Sequence, residues 1–445
     1  MEKYRSRDTL FIGLTLFALF FGAGNLIFPP FLGIMAGENF WPAIIGFVVT
    51  GVGLPLITVV AIASVKDGVQ EMSKRVHPVF AVVFTVAVYL SLGPFFGIPR
   101  GANVAYEMSL KPFLGNSAGP IFLLAFTAVF FALVYWVCLN PSKLVDRVGT
   151  VLTPIMLIAI ALLVIVSLFK LDGGTGAVAD KFSKSPFTAG FLEGYLTMDT
   201  IAALAFGIIV ITSIKQKQVT DRKQVVRLTL KAGLIAGAGL AMVYVSLGLL
   251  GTKMAGAGNY ENGGQLLTEA AKTVFGYPGM LLLGVIVTLA CFTTCVGLVA
   301  ATGQYFTKLL PKVSYKQFAT IITIISFLIA NMGLNQIISV SVPVLVTLYP
   351  ITIVLVVLSL LHPFFGGARA VYVGSILAAL LVSISDGLKA MGVRLPELES
   401  LLGNLPLYAE GLGWLVPAIV GAAAGLIADR FILSKLERRQ PATDN

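Results

Sequence analysis

Long apolar runs, separated by short polar breaks, occupy most of this 445-residue sequence. A helix needs about 20 mostly apolar residues to cross about 30 Å of hydrocarbon, and about twelve runs approach or exceed that length. They lie at 9–36, 41–64, 78–105, 118–138, 144–169, 187–213, 224–250, 278–307, 317–332, 335–361, 369–386 and 411–433. Only 12% of the residues are charged, against about 25% in soluble domains. The sequence therefore predicts an all-α membrane protein with about twelve transmembrane helices in a single transmembrane domain, residues 1–445.

The basic residues are distributed unequally between the two sets of loops. Most of the 31 Lys and Arg residues fall in the alternate segments 1–8, 65–77, 139–147, 214–231, 308–316, 362–369 and 430–445. The positive-inside rule places such segments in the cytoplasm, so we expect both termini to be cytoplasmic. The first run is too long for a secretion signal and counts as the first span. The basic run at 215–231 is first an orientation anchor and only second an anionic-lipid contact.

Enzyme chemistry finds little support in the sequence. Cys138, Cys291 and Cys295 lie within or at the end of apolar runs, so we expect small buried side chains without a disulfide or a zinc site. His77 and His362 each stand beside a proline, and neither belongs to an HExxH motif. We expect no enzyme activity, no cofactor and no nucleic-acid partner. A channel is the alternative membrane function, and a saturable flux would separate a transporter from it.

The stretch FGAGNLIFPP, residues 21–30, interrupts the first span near its midpoint. Gly22 and Gly24 each cost a helix interior about 1 kcal/mol relative to alanine, and Pro29 and Pro30 cannot donate backbone hydrogen bonds. Backbone groups left unpaired at this depth are tolerated only where something polar meets them. The pattern predicts an unwound segment in the first span, with a kink repaired by neighbouring helices as the alternative.

A carboxylate lies at the midpoint of the sixth span. Asp199 stands between Thr197 and Thr200 in GYLTMDTIAALAF, and a mid-membrane carboxylate costs at least about 2.5–3.5 kcal/mol, so it indicates a functional site. The alternative is that Asp199 only caps the amides of a half-helix that starts there.

The two interruptions are five spans apart, which predicts an inverted repeat. Because five is odd, spans one and six run in opposite directions across the membrane. We therefore expect one five-helix repeat over 9–169, an inverted second repeat over 187–361, and two accessory C-terminal helices over 369–433. Helices 1 and 6 would be discontinuous and would frame a central binding site.

Two broken helices offer amides with partial positive charge and carbonyls with partial negative charge, which suits a zwitterion. We expect the carboxylate of an amino acid at the amides of Ala23 and Gly24, and its ammonium at carbonyls of spans one and six. The apolar neighbours favour an aliphatic side chain. The predicted substrate-binding residues are Phe21, Gly22, Ala23, Gly24, Asn25, Tyr89, Leu196, Thr197 and Asp199.

Three motifs together resemble the bacterial branched-chain amino acid:cation symporters, the LIVCS family. They are FGAGNLIFPP, SLGPFFGIPRGA at 91–102, and GYLTMDTIA at 194–202, and the likeness covers essentially the whole chain. It implies the fold of the bacterial leucine transporter and uptake of leucine, isoleucine and valine across a bacterial cytoplasmic membrane, driven by sodium or by protons. A transporter of the same fold for another neutral amino acid or a nucleobase is the competing reading.

The resemblance also implies sodium ligands. GAGN at 22–25 is similar to a GxGN motif whose asparagine ligates sodium beside the substrate, which points to Asn25 and Thr197. An Ala-x-x-Thr-Ser/Thr pattern matches the eighth span and implies a second sodium. Its ligands would be the residues Ala18, Phe21, Ala290, Thr293 and Thr294. Asp199 departs from the leucine transporter and leaves the ligands around the sixth helix open.

The third span is rich in glycine and proline and carries an arginine. Gly93, Pro94, Gly97 and Pro99 predict a kinked helix. For Arg100 the sequence leaves two alternatives, snorkelling to the outer interface or an outer gate with a carboxylate such as Glu107. Tyr89 is a candidate for the substrate carboxylate, with an ordinary packed tyrosine as the alternative.

Overall fold

The computed structural model describes residues 6–65, 68–139, 144–171, 173–174, 176–216, 218–219 and 221–437. Within these residues the chain is helical and contains no β-strand. The helices are α1 (Ser6–Phe20), α2 (Ala23–Ala36), α3 (Phe40–Val48), α4 (Leu54–Ala63), α5 (Gly68–Lys74), α6 (Pro78–Leu90), α7 (Gly97–Ser109), α8 (Lys111–Leu114), α9 (Pro120–Cys138), α10 (Leu144–Lys170), α11 (Asp180–Ser183), α12 (Pro186–Glu193), α13 (Asp199–Gln216), α14 (Arg222–Met254), α15 (Gly263–Leu309), α16 (Tyr315–Ala330), α17 (Leu334–Leu361), α18 (Arg369–Ala390), α19 (Pro396–Leu402) and α20 (Leu415–Glu437). Short 3₁₀ turns lie at Gly37–Asn39, Gly115–Ser117, Gly194–Thr197 and His362–Phe365, and π-helical turns at Val49–Gly53 and Ser91–Phe95.

Each predicted apolar run coincides with a helix or a broken helix, which confirms an all-α protein built from apolar helices. Over the described part of the chain, seven helices are long and apolar enough to span a membrane. They become eight if Pro186–Thr197 and Asp199–Lys215, which meet at a bend of 44°, form one broken span. The count of twelve spans therefore stays a prediction. The basic ends used to orient the chain lie partly outside the described residues.

The first span is broken where the sequence predicts, but over fewer residues. α1 ends at Phe20, and α2 begins at Ala23 with Gly22 in an extended conformation before it. Pro29 and Pro30 do not belong to the break, because both lie inside α2. A proline removes a donor without forbidding helical φ, so the glycine end of the motif unwinds and the proline end remains helical.

Glycines let several helices of this region approach to backbone contact. A Cβ atom added to Gly251 would lie 2.0 Å from the carbonyl oxygen of Pro30, and one added to Gly190 would lie 1.8 Å from that of Ala43. Gly233 and Gly237 face the side chain of Leu56. These glycines pack helices within the chain, because small residues let helix backbones approach closely. They hold α14 against α2 and α4, and α12 against α3.

The third and eighth spans depart from straight helices. A π-helical turn at Ser91–Phe95, with non-helical angles at Gly93, confirms the predicted kink of the third span. The eighth span was predicted to start at residue 278, but α15 already begins at Gly263 and bends at Gly276, where φ is +70°. Asn262 caps this extra segment through hydrogen bonds from the N–H groups of Gly264 and Gln265.

By its internal contacts the chain divides into two compact units, Met1–Ala63 with Val88–Ser341, and Ser64–Ala87 with Val342–Asn445. In the second unit, Gly374 and Gly421 bring α18 and α20 together, since a Cβ on either would lie 2.3 Å from the other's carbonyl oxygen. Arg75 donates to Ser359 and Tyr372 in the same unit. The predicted division into two five-helix repeats and two accessory helices stays a prediction.

Candidate functional site

A small cavity in the first unit lies where the breaks of the first and sixth spans meet. Its volume is about 40 Å³, enough for a few water molecules, since one needs about 10–15 Å³ by this measure. Its lining residues are Leu19, Phe20, Gly22, Ala23, Gly24, Asn25, Leu92, Gly97, Arg100, Gly101, Thr197, Met198, Asp199, Ala202, Phe206, Cys291, Thr294, Cys295 and Leu298. Six of the nine predicted substrate-binding residues are among them.

Asn25 organises the break of the first span. Its side-chain Oδ1 accepts a hydrogen bond of 3.1 Å from the backbone N–H of Gly22, and the side chain is 2% exposed. The N–H of Gly22 would otherwise donate to the carbonyl of Ala18 in a continuous helix. The amide of Gly22 is therefore paired with Asn25, and the carbonyl of Ala18 does not receive the hydrogen bond that Gly22 would donate in a continuous helix.

The sixth span is broken by one left-handed residue. Met198 has φ +67° and ψ +9°, which separates the 3₁₀ turn Gly194–Thr197 from α13. The hydroxyl of Thr197 donates to the carbonyl of Gly194 at 2.9 Å and accepts from the N–H of Asp199 at 3.3 Å. Thr197 therefore caps α13, which is the role that the sequence suggests as the alternative for Asp199.

Asp199 joins the two breaks. Its Oδ2 accepts hydrogen bonds from Asn25 Nδ2 at 2.6 Å and from Tyr244 Oη at 2.8 Å. Asn25 Nδ2 also contacts Tyr244 Oη. Asp199 is 2% exposed, so these donors replace the water that a buried carboxylate loses. The reading of Asp199 as a mere helix cap is wrong, because its carboxylate contacts α2 and α14.

Arg100 lies at this cavity, where it neither snorkels to an interface nor pairs with Glu107. The guanidinium donates to the carbonyl of Leu196 at 2.5 Å and to that of Thr197 at 3.1 Å, and the residue is 5% exposed. Glu107 instead pairs with Lys111 at 2.7 Å. Snorkelling requires a water interface within reach, whereas the carbonyls at the break of the sixth span offer Arg100 nearer acceptors.

The predicted ion ligands on the eighth span lie close to the first break. The hydroxyls of Thr293 and Thr294 donate to the carbonyl of Ala290 at 2.9 and 3.1 Å. A Cβ added to Gly22 would lie 3.7 Å from Thr294 Oγ1, and Thr294 lines the cavity whereas Thr293 does not. The structure therefore brings Thr294 beside Gly22, at the break of the first span.

Three predicted substrate contacts do not line the cavity. Phe21 stacks on Phe17 with ring centroids 5.2 Å apart, and Tyr89 stacks on Tyr305 at 4.2 Å. Leu196 reaches the site only through its carbonyl bond to Arg100. Tyr89 is therefore packed as an ordinary buried tyrosine, which is the alternative that the sequence leaves open.

Sequence reasoning missed Tyr244. Its ring is fully buried, and its hydroxyl contacts both residues that link the breaks. A tyrosine inside an apolar run is itself a signal, because a buried phenol requires a polar partner. The position of that partner is set by another helix and cannot be read from local sequence.

Comparisons with known proteins identify the family of this chain. The family description "Branched-chain amino acid transport protein" matches residues 5–432. The chain is similar to the branched-chain amino acid permeases BraB and BrnQ of Bacillus subtilis, each at 47% identity. The match to BraB covers 96% of this chain and 96% of BraB, and the match to BrnQ covers 97% of this chain and 98% of BrnQ. It is also similar to the branched-chain amino acid transport system 2 carrier protein of Pseudomonas aeruginosa, at 44% identity over 97% of this chain and 98% of the relative.

Solved structures support the fold. The nucleobase-cation-symport-1 family transporter Mhp1, with bromovinylhydantoin bound, aligns with a TM-score of 0.59 at 14% identity over 98% of this chain and 95% of that one. MhsT in complex with L-phenylalanine aligns with a TM-score of 0.59 at 17% identity over 97% and 99%. Both share the leucine-transporter fold, as the resemblance implied. The chain is a transporter and not an enzyme, and it belongs to the branched-chain amino acid transport protein family.

Proposed function

We propose that this protein imports leucine, isoleucine and valine across a bacterial cytoplasmic membrane by sodium symport with alternating access. The observation that carries the proposal is the single cavity at which both helix breaks, a buried carboxylate and a buried guanidinium meet. The names of the relatives support the substrate class. The MhsT complex shows an amino acid bound to a protein of the same fold.

The substrate would lie between the two breaks. The first N–H groups of α2, at Ala23 and Gly24, suit a carboxylate, because the first turn of a helix has unpaired donors and a positive dipole end. The ammonium would lie at Asp199. Apolar side chains remain for an aliphatic chain, including Leu19, Phe20, Ala202, Phe206 and Leu298. A cavity of about 40 Å³ must enlarge to hold leucine, which alternating access provides.

We place the coupling sodium between the first and eighth spans. Its ligands would be the carbonyls of Ala18, Phe21 and Ala290 and the hydroxyls of Thr293 and Thr294. Neutral oxygens suit a hard monovalent cation without the cost of another buried carboxylate. The Ala18 carbonyl has lost its helical donor, because the N–H of Gly22 donates to Asn25. Thr294 lies beside Gly22.

Asn25 and Thr197 remain proposed ligands of a further cation. Ion binding there would have to compete with their hydrogen bonds to Gly22 and Gly194. It would also bring a second positive charge to the Thr197 carbonyl, which already accepts from Arg100. We therefore expect this ion to bind more weakly than the one at the eighth span. The proposed orientation has both termini in the cytoplasm, with the lipid bilayer around the spans.

The proposal is tested with purified protein reconstituted into liposomes. An inward sodium gradient should drive accumulation of labelled leucine, and unlabelled isoleucine and valine should compete. Lysine and glutamate should not compete, because one more unpaired charge in a buried site costs several kcal/mol. Strong competition by glutamate with none by valine contradicts the substrate class. Full accumulation on a proton gradient without sodium contradicts sodium coupling and leaves proton symport. A non-saturating flux would indicate a channel.

A further inference from the structure

Two positive features meet at one side of the cavity. The first is the N-terminal turn of α2, whose residues Gly22, Ala23 and Gly24 line the cavity. The second is Arg100, since a Cβ added to Gly24 would lie 2.8 Å from Nη2 and 3.2 Å from Cζ of the guanidinium. A Cβ atom at this position would press on the guanidinium, so glycine leaves the space that Arg100 occupies. The guanidinium therefore lies directly against the positive end of the α2 dipole, and like charges repel.

The position of the guanidinium is fixed from the other side. Its hydrogen bonds to the carbonyls of Leu196 and Thr197 hold it at the C-terminal, negative end of the 3₁₀ turn. Its carbon Cζ also lies 5.4 Å from the ring centre of Phe28, within cation–π range. A long side chain held by these contacts is pre-organised, so less entropy is lost when an anion joins it.

The opposite pole of the cavity is Asp199. Asn25 and Tyr244 both donate to Oδ2, and a carboxylate has about four acceptor positions on its two oxygens, so capacity remains for an ammonium group. One buried cation and one buried anion thus line the same small cavity. Such a dipolar site favours a molecule that carries both charges over one that carries a single charge.

We propose that Arg100 binds the α-carboxylate of the substrate, together with the first amides of α2, and thereby makes the site specific for zwitterions. This inference rests on the proposed amino-acid transport. It changes the part played by the break of the sixth span. From the sequence, the substrate ammonium is expected at carbonyls of spans one and six. In the proposed site the carbonyls of Leu196 and Thr197 instead position Arg100, which binds the opposite end of the substrate.

The test uses two analogues of leucine that each lack one charge. They are 3-methylbutylamine, without the carboxylate, and 4-methylpentanoate, without the ammonium. Competition against labelled leucine is measured on purified wild-type protein and on Arg100→Leu, Arg100→Lys and Asp199→Asn. In the wild type neither analogue should compete within 100-fold of leucine. Arg100→Leu should weaken leucine binding by about 100-fold, the equivalent of about 2.7 kcal/mol. The affinity for 3-methylbutylamine should decrease little or increase.

Arg100→Lys should keep the discrimination against the amine, because the charge remains, although the loss of the planar fork weakens leucine binding. Asp199→Asn should shift the preference the other way, towards 4-methylpentanoate. The matched control is Arg75→Leu, which removes a hydrogen-bonded arginine of the other compact unit. It should leave the ratio of leucine to 3-methylbutylamine affinity unchanged.

The outcomes separate the two proposals. If the wild type binds leucine and folded Arg100→Leu keeps both the affinity and the discrimination, Arg100 does not bind the carboxylate, and the transport proposal stands. If Arg100→Leu does not fold, the wild type and Arg100→Lys decide. Competition by 3-methylbutylamine within threefold of leucine in either of them overturns the inference. A wild type that binds no branched-chain amino acid refutes the proposed function itself.

Discussion

Replacement of Asp199 by asparagine tests the centre of the site with almost no change in side-chain volume. The wild-type carboxylate accepts two hydrogen bonds, 2.6 Å from Asn25 and 2.8 Å from Tyr244. An asparagine amide presents one acceptor and one donor group, so it cannot reproduce both bonds and the contact to an ammonium. Each hydrogen bond to a charged group contributes about 1.5–3 kcal/mol net. Loss of one such bond to the substrate predicts a decrease of about 10- to 150-fold in leucine affinity.

The assay is leucine binding to purified protein, followed by uptake into liposomes under a sodium gradient. Asp199→Asn should fail to accumulate leucine while it unfolds at a temperature close to that of the wild type. The matched control is Asp386→Asn, a partly buried carboxylate on α18 in the other compact unit. It should change leucine affinity by less than threefold.

A double-mutant cycle assigns the effect to the network. Tyr244→Phe removes the phenol that contacts both Asn25 and Asp199, and residues in one network give non-additive effects. We expect the double variant with Asp199→Asn to lose less than the sum of the two single losses. Normal accumulation by Asp199→Asn across the pH range, or strict additivity with Tyr244→Phe, would refute the role of this carboxylate.

Three further predictions address the ion site, a predicted contact and the packing. Joint replacement of Thr293 and Thr294 by valine should raise the sodium concentration for half-maximal uptake about tenfold or more, because lost oxygen ligands cost over about 1.4 kcal/mol. Unchanged sodium dependence in the folded variant would reject the ion site. Tyr89→Phe should change leucine affinity by less than threefold, because the ring stacks on Tyr305 outside the cavity; a tenfold loss would restore Tyr89 as a substrate contact. Gly190→Ala should destabilise the protein by about 1–3 kcal/mol, because its Cβ would lie 1.8 Å from the carbonyl oxygen of Ala43. In the control Gly297→Ala the added Cβ meets nothing within 4 Å, and equal unfolding temperatures of the two variants in detergent would contradict the packing.

The sequence located both helix breaks because their causes are local. Glycine lowers helix stability wherever it stands, and a carboxylate at mid-span requires partners in any fold. The exact extent of the first break was less predictable. Gly22 leaves the helix whereas Pro29 and Pro30 stay within α2, because the position of a proline in a helix depends on the neighbours that satisfy the freed carbonyls. Those neighbours come from other helices.

The part of the site that sequence reasoning missed is non-local. Arg100 and Tyr244 are visible in the sequence as polar residues in apolar runs. The partners of Arg100 are 96 and 97 positions away along the chain, and those of Tyr244 are 45 and 219 positions away. Depth in the membrane suggested that Arg100 would reach water. Its actual surroundings are set by the carbonyls freed at the break of the sixth span, and no local rule pairs that break with the third span.

The small size of the cavity follows from how its surroundings are packed. The segment of α15 before Gly276 lies against α2, because a Cβ on Gly263 would lie 1.8 Å from the carbonyl oxygen of Ile27. Ile27 stands about one turn beyond Gly24, which lines the cavity, and under the proposed orientation this segment is on the outer side of the membrane. Backbone contact of this kind leaves no room for a solute to pass. Under the proposed function, leucine would pass along this side of the cavity only if α15 and α2 separate there, and their return would enclose it. If leucine binds between these two charges, as proposed, a cavity of about 40 Å³ must enlarge for each substrate molecule, which is the behaviour of a transporter and not of an open channel.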